Sequence, residues 1–583
     1  MKIQNRIQIK NLVDLNLINQ IVCVAGWVKK IRKLGNLCFI NLWDCTGTIQ
    51  IVDESNSETF DKLIKLTRES VVIFEGIFQK RSNPNKDVYL GEYEIKIKNF
   101  EIISESKVTP LIIEDKTDAL EDIRLQYRYL DLRRPIMQEK LKLRFKFLQN
   151  IRNFLDSQEF IEIETPNFTK QTPEGARDYI VPTRLGKNKF YALPQSPQIY
   201  KQLLMISGFE KYFQIARCFR DEDGRKDRQP EHTQIDLEMS FVNENMIQDL
   251  IEKMFVYAFE KTLNIKLSTP FLKMTYLDAM KNYGSDKPDI RFDLRLQDVT
   301  SHFKNSNFNV FKSIVEQNGF INLIHLPNIM VDSKEIKNLE KIAKDNFANG
   351  LAWLTYENEN ILSGSISKFF NFDFIKNITK LNHKGTLFFV GHSKLSVVQK
   401  SLGAIRNTLN DLYKLANPDE YAFLWIVDWP LYEWNDKTNS YESAHNLFTA
   451  PKDKIDNLNE KNKANLMASS YDLVLNGFEL GSGAIRIHNP VDQQKIMKSL
   501  NLSDEEIEKK FGFLLNAYQY GAPYHGGMGL GLDRIMMIIT KSDSIRDVIA
   551  FPKNAQGIDL MMETPSEITD TNLLDDVFIS IKK

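Results

Sequence analysis

The stretch KYFQIARCFRDEDGRKDRQPEHTQIDLEMSF, residues 211–241, decides the fold. Its two ends, KYFQIARCFR and HTQIDLEMSF, alternate polar and apolar residues with period two, so each is expected to be a strand with two distinct faces. Gln214, Ala216, Cys218 and Arg220 share one face of the first strand. On the second, His232, Gln234, Asp236 and Glu238 share a face, while Ile235, Leu237 and Met239 point the other way. Between them, Phe219 to Asp236 packs ten charged side chains into eighteen residues. Pairing the strands across DEDGRKDRQP makes a hairpin whose polar face floors a cavity and whose loop overhangs the rim.

That concentration of charge is local. The 583 residues carry a formal net charge of only -1 and are 42% hydrophobic, so the long-range field is weak and nucleic-acid contact must come from patches. The length suits about three or four domains. Cys23, Cys38, Cys45 and Cys218 form no CxxC pair and no zinc spacing, which reads as a reduced, intracellular chain. MKIQNRIQIK lacks a signal-peptide core, and no run reaches the roughly 18 apolar residues of a membrane span, so a cytoplasmic location and no membrane partner are expected.

Upstream, IVCVAGWV, LCFINLWD, GTIQIVD, VVIFEGIFQ and YEIKIKNFEII are short β-branched or aromatic runs separated by turn residues. Five such strands suit an OB-type barrel, a fold that binds single-stranded nucleic acid. KKIRKLGN, residues 29–36, reads as a basic loop between the first two, with Phe39 beyond it. A polar connector leads through QYRYLDLRRP into a helix with Phe147, Leu148, Ile151 and Leu155 on one face. EFIEIETP follows as an alternating strand stopped by Pro166. From about 285 to 415 the charged motifs vanish, which marks an insertion.

TPEGARDYIVP, SPQIYKQLL, FELGSGAIRIHNP and HGGMGLGLDRIMMIIT are dense in groups that bind anions or amines, in Gly or Pro contexts that admit a ligand. No GxxxxGK[ST] loop is present. Phosphate recognition falls instead to the planar forks of Arg220 and Arg534.

With these residues quoted, the chain resembles the bacterial-type aspartyl-tRNA synthetases, a class II family. The helix with EFIEIETP resembles the first class II motif, FRDE through HTQID the second and GLGLDRI the third, while QYRYLDLRRP, TPEGARDY, SPQIYKQ and GSDKPDIRF point to the aspartate subclass. The resemblance implies a multidomain protein. An OB-fold anticodon-binding domain would occupy residues 1–105 and a hinge 106–130. An α/β catalytic domain, an antiparallel sheet flanked by helices, would occupy 131–284 and 416–565, with an α/β insertion at 285–415 and an extension at 566–583. It implies ATP and Mg²⁺, L-aspartate and tRNA(Asp) as partners, and a homodimer through the first motif.

The resemblance also implies roles. Arg220 and Arg534 are the catalytic pair, on the α- and γ-phosphates. Lys201 and Arg486 take the substrate carboxylate, with Glu174, Ser196, Gln198, Arg220, Asp236 and His445 completing the aspartate site. ATP falls to Arg220, Asp221, Glu222, Gln229, His232, Glu479, Gly531, Leu532, Asp533 and Arg534, and the metal to Asp472 and Glu479. Lys30, Arg32, Phe39, Gln50 and Glu92 would read the anticodon. Asn446, His232, Tyr524 and Lys33 depart from the family's usual His, Phe, Pro and Asp. Leu34 resembles enzymes restricted to tRNA(Asp); a relaxed enzyme that also charges tRNA(Asn), or a noncatalytic tRNA-binding paralogue, is the alternative. Strict alternation in FELGSGAIRIHN sets Glu479 and Arg486 on opposite faces, so a bulge at Gly481 and Gly483 or a bend is expected.

Overall fold

A computed structural model describes residues 3–14, 16–54, 59–172, 175–358, 360–378, 383–455 and 458–580. The chain divides into two compact units, residues 1–134 and 135–583.

In the first unit five strands, Ile21–Leu34, Leu37–Asp44, Gly47–Glu54, Val71–Lys80 and Tyr93–Ser104, close into a barrel in the order first, second, third, fifth, fourth. Alternation drives it: Cys38, Ile40, Ile49, Ile51 and Ile95 fill the core while their neighbours face outward. The basic segment is not the loop expected. Lys29–Leu34 continue the first strand, and the turn is only Gly35–Asn36, with Gly35 at φ 58°.

The second unit is built on an eight-stranded sheet. Its order is Leu272–Thr275, Phe423–Pro430, Met467–Leu475, Phe478–Ile485, His525–Gly531, Glu231–Ser240, Lys211–Phe219 and Ile161–Glu162. The six central strands are antiparallel, and the two edge strands pair parallel with their neighbours. One face packs Ile235, Leu237, Tyr471, Leu473, Met528 and Leu530 against the helices Pro135–Ser157, Glu244–Leu263 and Leu532–Ile539. EFIEIETP contributes only a two-residue strand at the edge of the sheet, and Ile161 on it is exposed.

The parallel strands Leu272–Thr275 and Phe423–Pro430 need a long crossover. That crossover contains the insertion: a second, five-stranded sheet, Leu296–Asp298, Phe320–Pro327, Lys384–His392, Ala352–Glu357 and Asn360–Gly364 in spatial order, with the helices Asn309–Glu316, Ser333–Asp345 and Leu395–Tyr413. Arg406, fully buried on the last helix, donates to the carbonyls of Asp289, Phe292 and Leu294 and stacks 3.9 Å over Phe292, fixing the insertion's entry to its exit. No helix among the described residues is long and apolar enough to cross a membrane.

Candidate active site

The hairpin forms as expected, and its pairing sets the polar faces of the two strands opposite one another. His232, Gln234, Asp236 and Glu238 face Cys218, Ala216, Gln214 and Tyr212 across it. On the sheet face opposite the helices lies a cavity of about 400 Å³, lined by Arg220, Glu222, His232, Asp236, Glu479, Arg486 and Arg534 among others. It exists because the neighbouring strands are thin: a Cβ on Gly529 would come within 2.2 Å of the Gln234 amide.

At one end two cations are buried side by side. Lys201 Nζ lies 3.0 Å from Asp236 Oδ1 and 3.1 Å from Glu238 Oε2, while Arg486 Nε donates to Glu238 Oε1 at 3.0 Å. Glu238, fully buried, therefore bridges both cations. Burial raises its carboxyl, but Arg486 and Lys201 outweigh that and hold it below the ordinary glutamate value. Asp236 goes the other way: burial pushes its carboxyl up against the pull of Lys201. Alternation sets Glu238 on the polar face, but alternation shows direction and not partners, so this bridging role is legible only in the structure.

Among the described residues, the polar atoms buried around this end of the cavity without a hydrogen-bond partner include Asp236 Oδ2, Gln198 Nε2, Arg220 Nε and His445 Nε2. His445 stands edge-on to Trp429 at 4.4 Å, and desolvation lowers it to about 4, so it is neutral at pH 7. Ser196 also lines the cavity. Glu174 lies outside the described residues.

At the other end Arg534 donates to the carbonyl of Glu479 and, at 3.1 Å, to Asp227, while its Nε has no partner. Glu222 accepts from Arg228 within the loop. His232 is lowered to about 3 by desolvation and then by Arg220, Arg217 and Arg534. The imidazole is thus a neutral ring near pH 7, and its edge does not titrate there.

Several expected ligands are otherwise engaged. Leu532 is wholly in the core, and Asp221 is paired with Arg177 and does not line the cavity. Asp533 lines it, but its carboxylate is held by Arg144 at 2.6 Å and by the Thr233 amide at 2.9 Å. The Gln229 amide pairs in both directions with the Lys553 backbone, at 3.0 and 2.8 Å. Gly531 and Glu479 line the cavity as expected.

Glu479 and Arg486 reach the same cavity because the strand is bulged, as one alternative required, but at a different residue. Val474 pairs with Glu479 and Leu473 with Gly481, so Leu480 is the extra residue that resets the phase. Asp472 faces Ser482 on the adjoining strand. Its Oδ1 is buried without a partner, and burial followed by repulsion from Glu479 pushes its carboxyl well above the usual range. Two such acids form a donor set suited to a hard cation, although no group of three or more ligating side chains occurs among the described residues. Asn446 caps a turn through the Phe448 amide at 2.9 Å.

On the barrel, Lys30, Asn41, Gln50, Glu94 and Gln79 form one cross-strand row on the outer face, and Arg32, Phe39 and Val52 the next. Gln50 donates to Glu94 at 2.9 Å. Glu92 is exposed and precedes the strand, so Glu94 is the acid in this row.

Residues 120–555 match the family model described as tRNA synthetases class II (D, K and N), and residues 22–103 that of the OB-fold nucleic acid binding domain. The chain is 50% identical over 576 residues to the aspartate–tRNA ligase of Malacoplasma penetrans, covering 98% of each. It is 48% identical over 555 residues to that of Ureaplasma parvum, covering 95% of this chain and 96% of the relative. An aspartate–tRNA(Asp/Asn) ligase of Treponema denticola is 46% identical, covering 96% of each. Among solved structures, the asparaginyl-tRNA synthetase of Pyrococcus horikoshii complexed with asparaginyl-adenylate shares the fold at a TM-score of 0.57 and 18% identity, covering 92% of this chain and 95% of that one.

Proposed function

Because the chain belongs to the class II tRNA synthetases (D, K and N), and among them to the aspartate–tRNA ligases, we propose that the cavity beneath the hairpin is where it joins L-aspartate to tRNA. The activity runs in two steps. The aspartate α-carboxylate attacks the α-phosphorus of ATP and releases pyrophosphate; a terminal ribose hydroxyl of tRNA then attacks the resulting acyl carbon and releases AMP. No protein nucleophile is needed, so the residues work by positioning and charge.

The observation that carries the assignment is the set of unpartnered atoms beside the buried cations. Asp236 Oδ2 is an acceptor for the substrate ammonium, and Gln198 Nε2 and Arg220 Nε are donors for its carboxylate and the α-phosphate. Lys201 and Arg486 hold the side-chain carboxylate, with Glu238 fixing the separation between them. Asparagine has nearly the same shape, but its neutral amide cannot balance the positive charge that Glu238 alone leaves on the two cations, which supports discrimination on the order of 10⁴. The neutral His445 adds a donor without adding charge. Arg534, pinned by Glu479 and Asp227, takes the γ-phosphate, and His232 stacks on adenine as a neutral ring.

Mg²⁺ would be held by Asp472 and Glu479, where it supplies charge neutralisation to the phosphates. The outer barrel face, with Phe39 to stack a base and Arg32 and Lys30 for the backbone, reads the anticodon. A second copy of the chain covers the exposed edge around Ile161, Phe168 and Pro166, and the enzyme works in the cytoplasm. Sedimentation of the purified protein at micromolar concentration would show a dimer; a monomer at that concentration would remove the edge as an interface. Aspartate-dependent ATP–pyrophosphate exchange tests the catalytic assignment, and charging of purified tRNA(Asp) against tRNA(Asn) tests the restriction read from Leu34.

A further inference from the structure

The charged loop between the hairpin strands is held from outside. Lys226 O accepts two hydrogen bonds, from Ile545 N and from Ser544 Oγ, each at 3.0 Å, and Arg225 O accepts one from Arg546 Nη1 at 3.4 Å. Further along, the Gln229 amide locks to the Lys553 backbone. Gly224 lies so close to Ala555 that a Cβ would sit 2.4 Å from its carbonyl oxygen. All these contacts come from residues 544–555, which follow the helix Leu532–Ile539 that carries Arg534.

Ser544 is the centre of this clamp. It is buried, and its one hydroxyl serves two partners: it donates to Lys226 O and accepts from Arg546 N at 3.2 Å, capping the turn Ile545–Asp547. The same loop presents Glu222, Asp227 and Arg228 to the cavity, with Asp227 against Arg534. A loop this polar has little apolar surface with which to fix itself, and ordering its backbone costs about 1–2 kcal/mol per residue. The tethers add to the order that the loop's own Glu222–Arg228 pair and Arg225–Arg228 bridge supply.

We infer that Ser544, with Arg546, is a positioning residue for the nucleotide end of the site: it sets the loop so that Asp227 meets Arg534 and Glu222 faces the cavity, and so governs ATP affinity without touching ATP. The inference rests on the reading of the cavity as the ATP and aspartate site. The aspartate end rests instead on Lys201 of the helix Gln198–Ile206, paired with Asp236 and Glu238, and on Arg486, paired with Glu238, so the two substrates separate the effects.

The test is steady-state aspartate-dependent ATP–pyrophosphate exchange with the full-length wild type, Ser544→Ala and Arg546→Lys, alongside thermal melts. Ser544→Ala is expected to raise KM for ATP about tenfold, as the loss of one buried hydrogen bond implies, with KM for aspartate changed less than about twofold and melting within a few degrees of wild type. Arg546→Lys, which shortens the donor to Arg225 O, is expected to give the same split and serves if Ser544→Ala does not fold. Unchanged KM for ATP, or equal rises for both substrates, would overturn the inference. A wild type with no exchange at all would instead overturn the reading of the cavity.

Discussion

Two cations buried side by side repel one another unless an anion lies between them, and Glu238 fills that place between Lys201 and Arg486. Glu238→Gln keeps the shape and removes the charge. It is expected to lower stability by about 3 kcal/mol or more, because breaking a buried ion pair leaves its partners uncompensated, seen as a lower urea midpoint at unchanged slope. A midpoint equal to wild type would mean that Asp236 alone neutralises the pair. Arg486→Leu is expected to cost about 2–5 kcal/mol of aspartate binding, a loss of exchange on the order of 30-fold or more at ordinary aspartate concentrations; an unchanged rate would remove Arg486 from the site. His232 carries a pH signature. Its folded value of about 3 lies below the ordinary value of about 6.5, so between the two the unfolded chain binds more protons and stability rises with pH. The contribution is complete above about pH 6.5 and is lost as pH falls toward 3. His232→Phe should keep or tighten ATP binding and flatten the fall in melting temperature between pH 7 and pH 4; an equally steep fall in the variant would show that other groups set it.

At the scale of elements, what was legible in the sequence was direction and what was not was company. Period two named the hairpin faces correctly because a half-buried strand must alternate. It could not locate the bulge at Leu480, since an extra residue is chosen by the partner strand and leaves no local signal. It misread Lys29–Leu34 as loop because charges on the outer face of a small barrel look like loop charges. The Gln229 and Asp533 side chains, read as ligands, are bound to Lys553 and Arg144, hundreds of residues away in sequence. The barrel row still makes a prediction. Arg32→Ala should lower kcat/KM for tRNA charging about tenfold, on the scale of one lost charged or stacking contact, and leave ATP–pyrophosphate exchange as it was. Equal loss of both would make the row structural.

For the whole molecule, the antiparallel sheet was anticipated by three separated motifs, and its parallel edges explain where the insertion sits: within the crossover that joins Leu272–Thr275 to Phe423–Pro430. In the proposed site a metal held by the acid pair Asp472 and Glu479, with no third ligating group among the described residues, would depend on the nucleotide for its remaining ligands. Chelation with EDTA should therefore abolish exchange, with Mg²⁺ restoring it; activity that persists would assign the phosphate charge to the arginines alone. In the proposed site the cations held by Glu238 choose aspartate by charge. The direct measurement is ATP–pyrophosphate exchange by the full-length protein with L-aspartate and with L-asparagine as sole amino acid. Exchange with aspartate and a specificity ratio on the order of 10⁴ over asparagine are expected; no exchange with aspartate, or comparable exchange with asparagine, would rule out selection by charge at this pair.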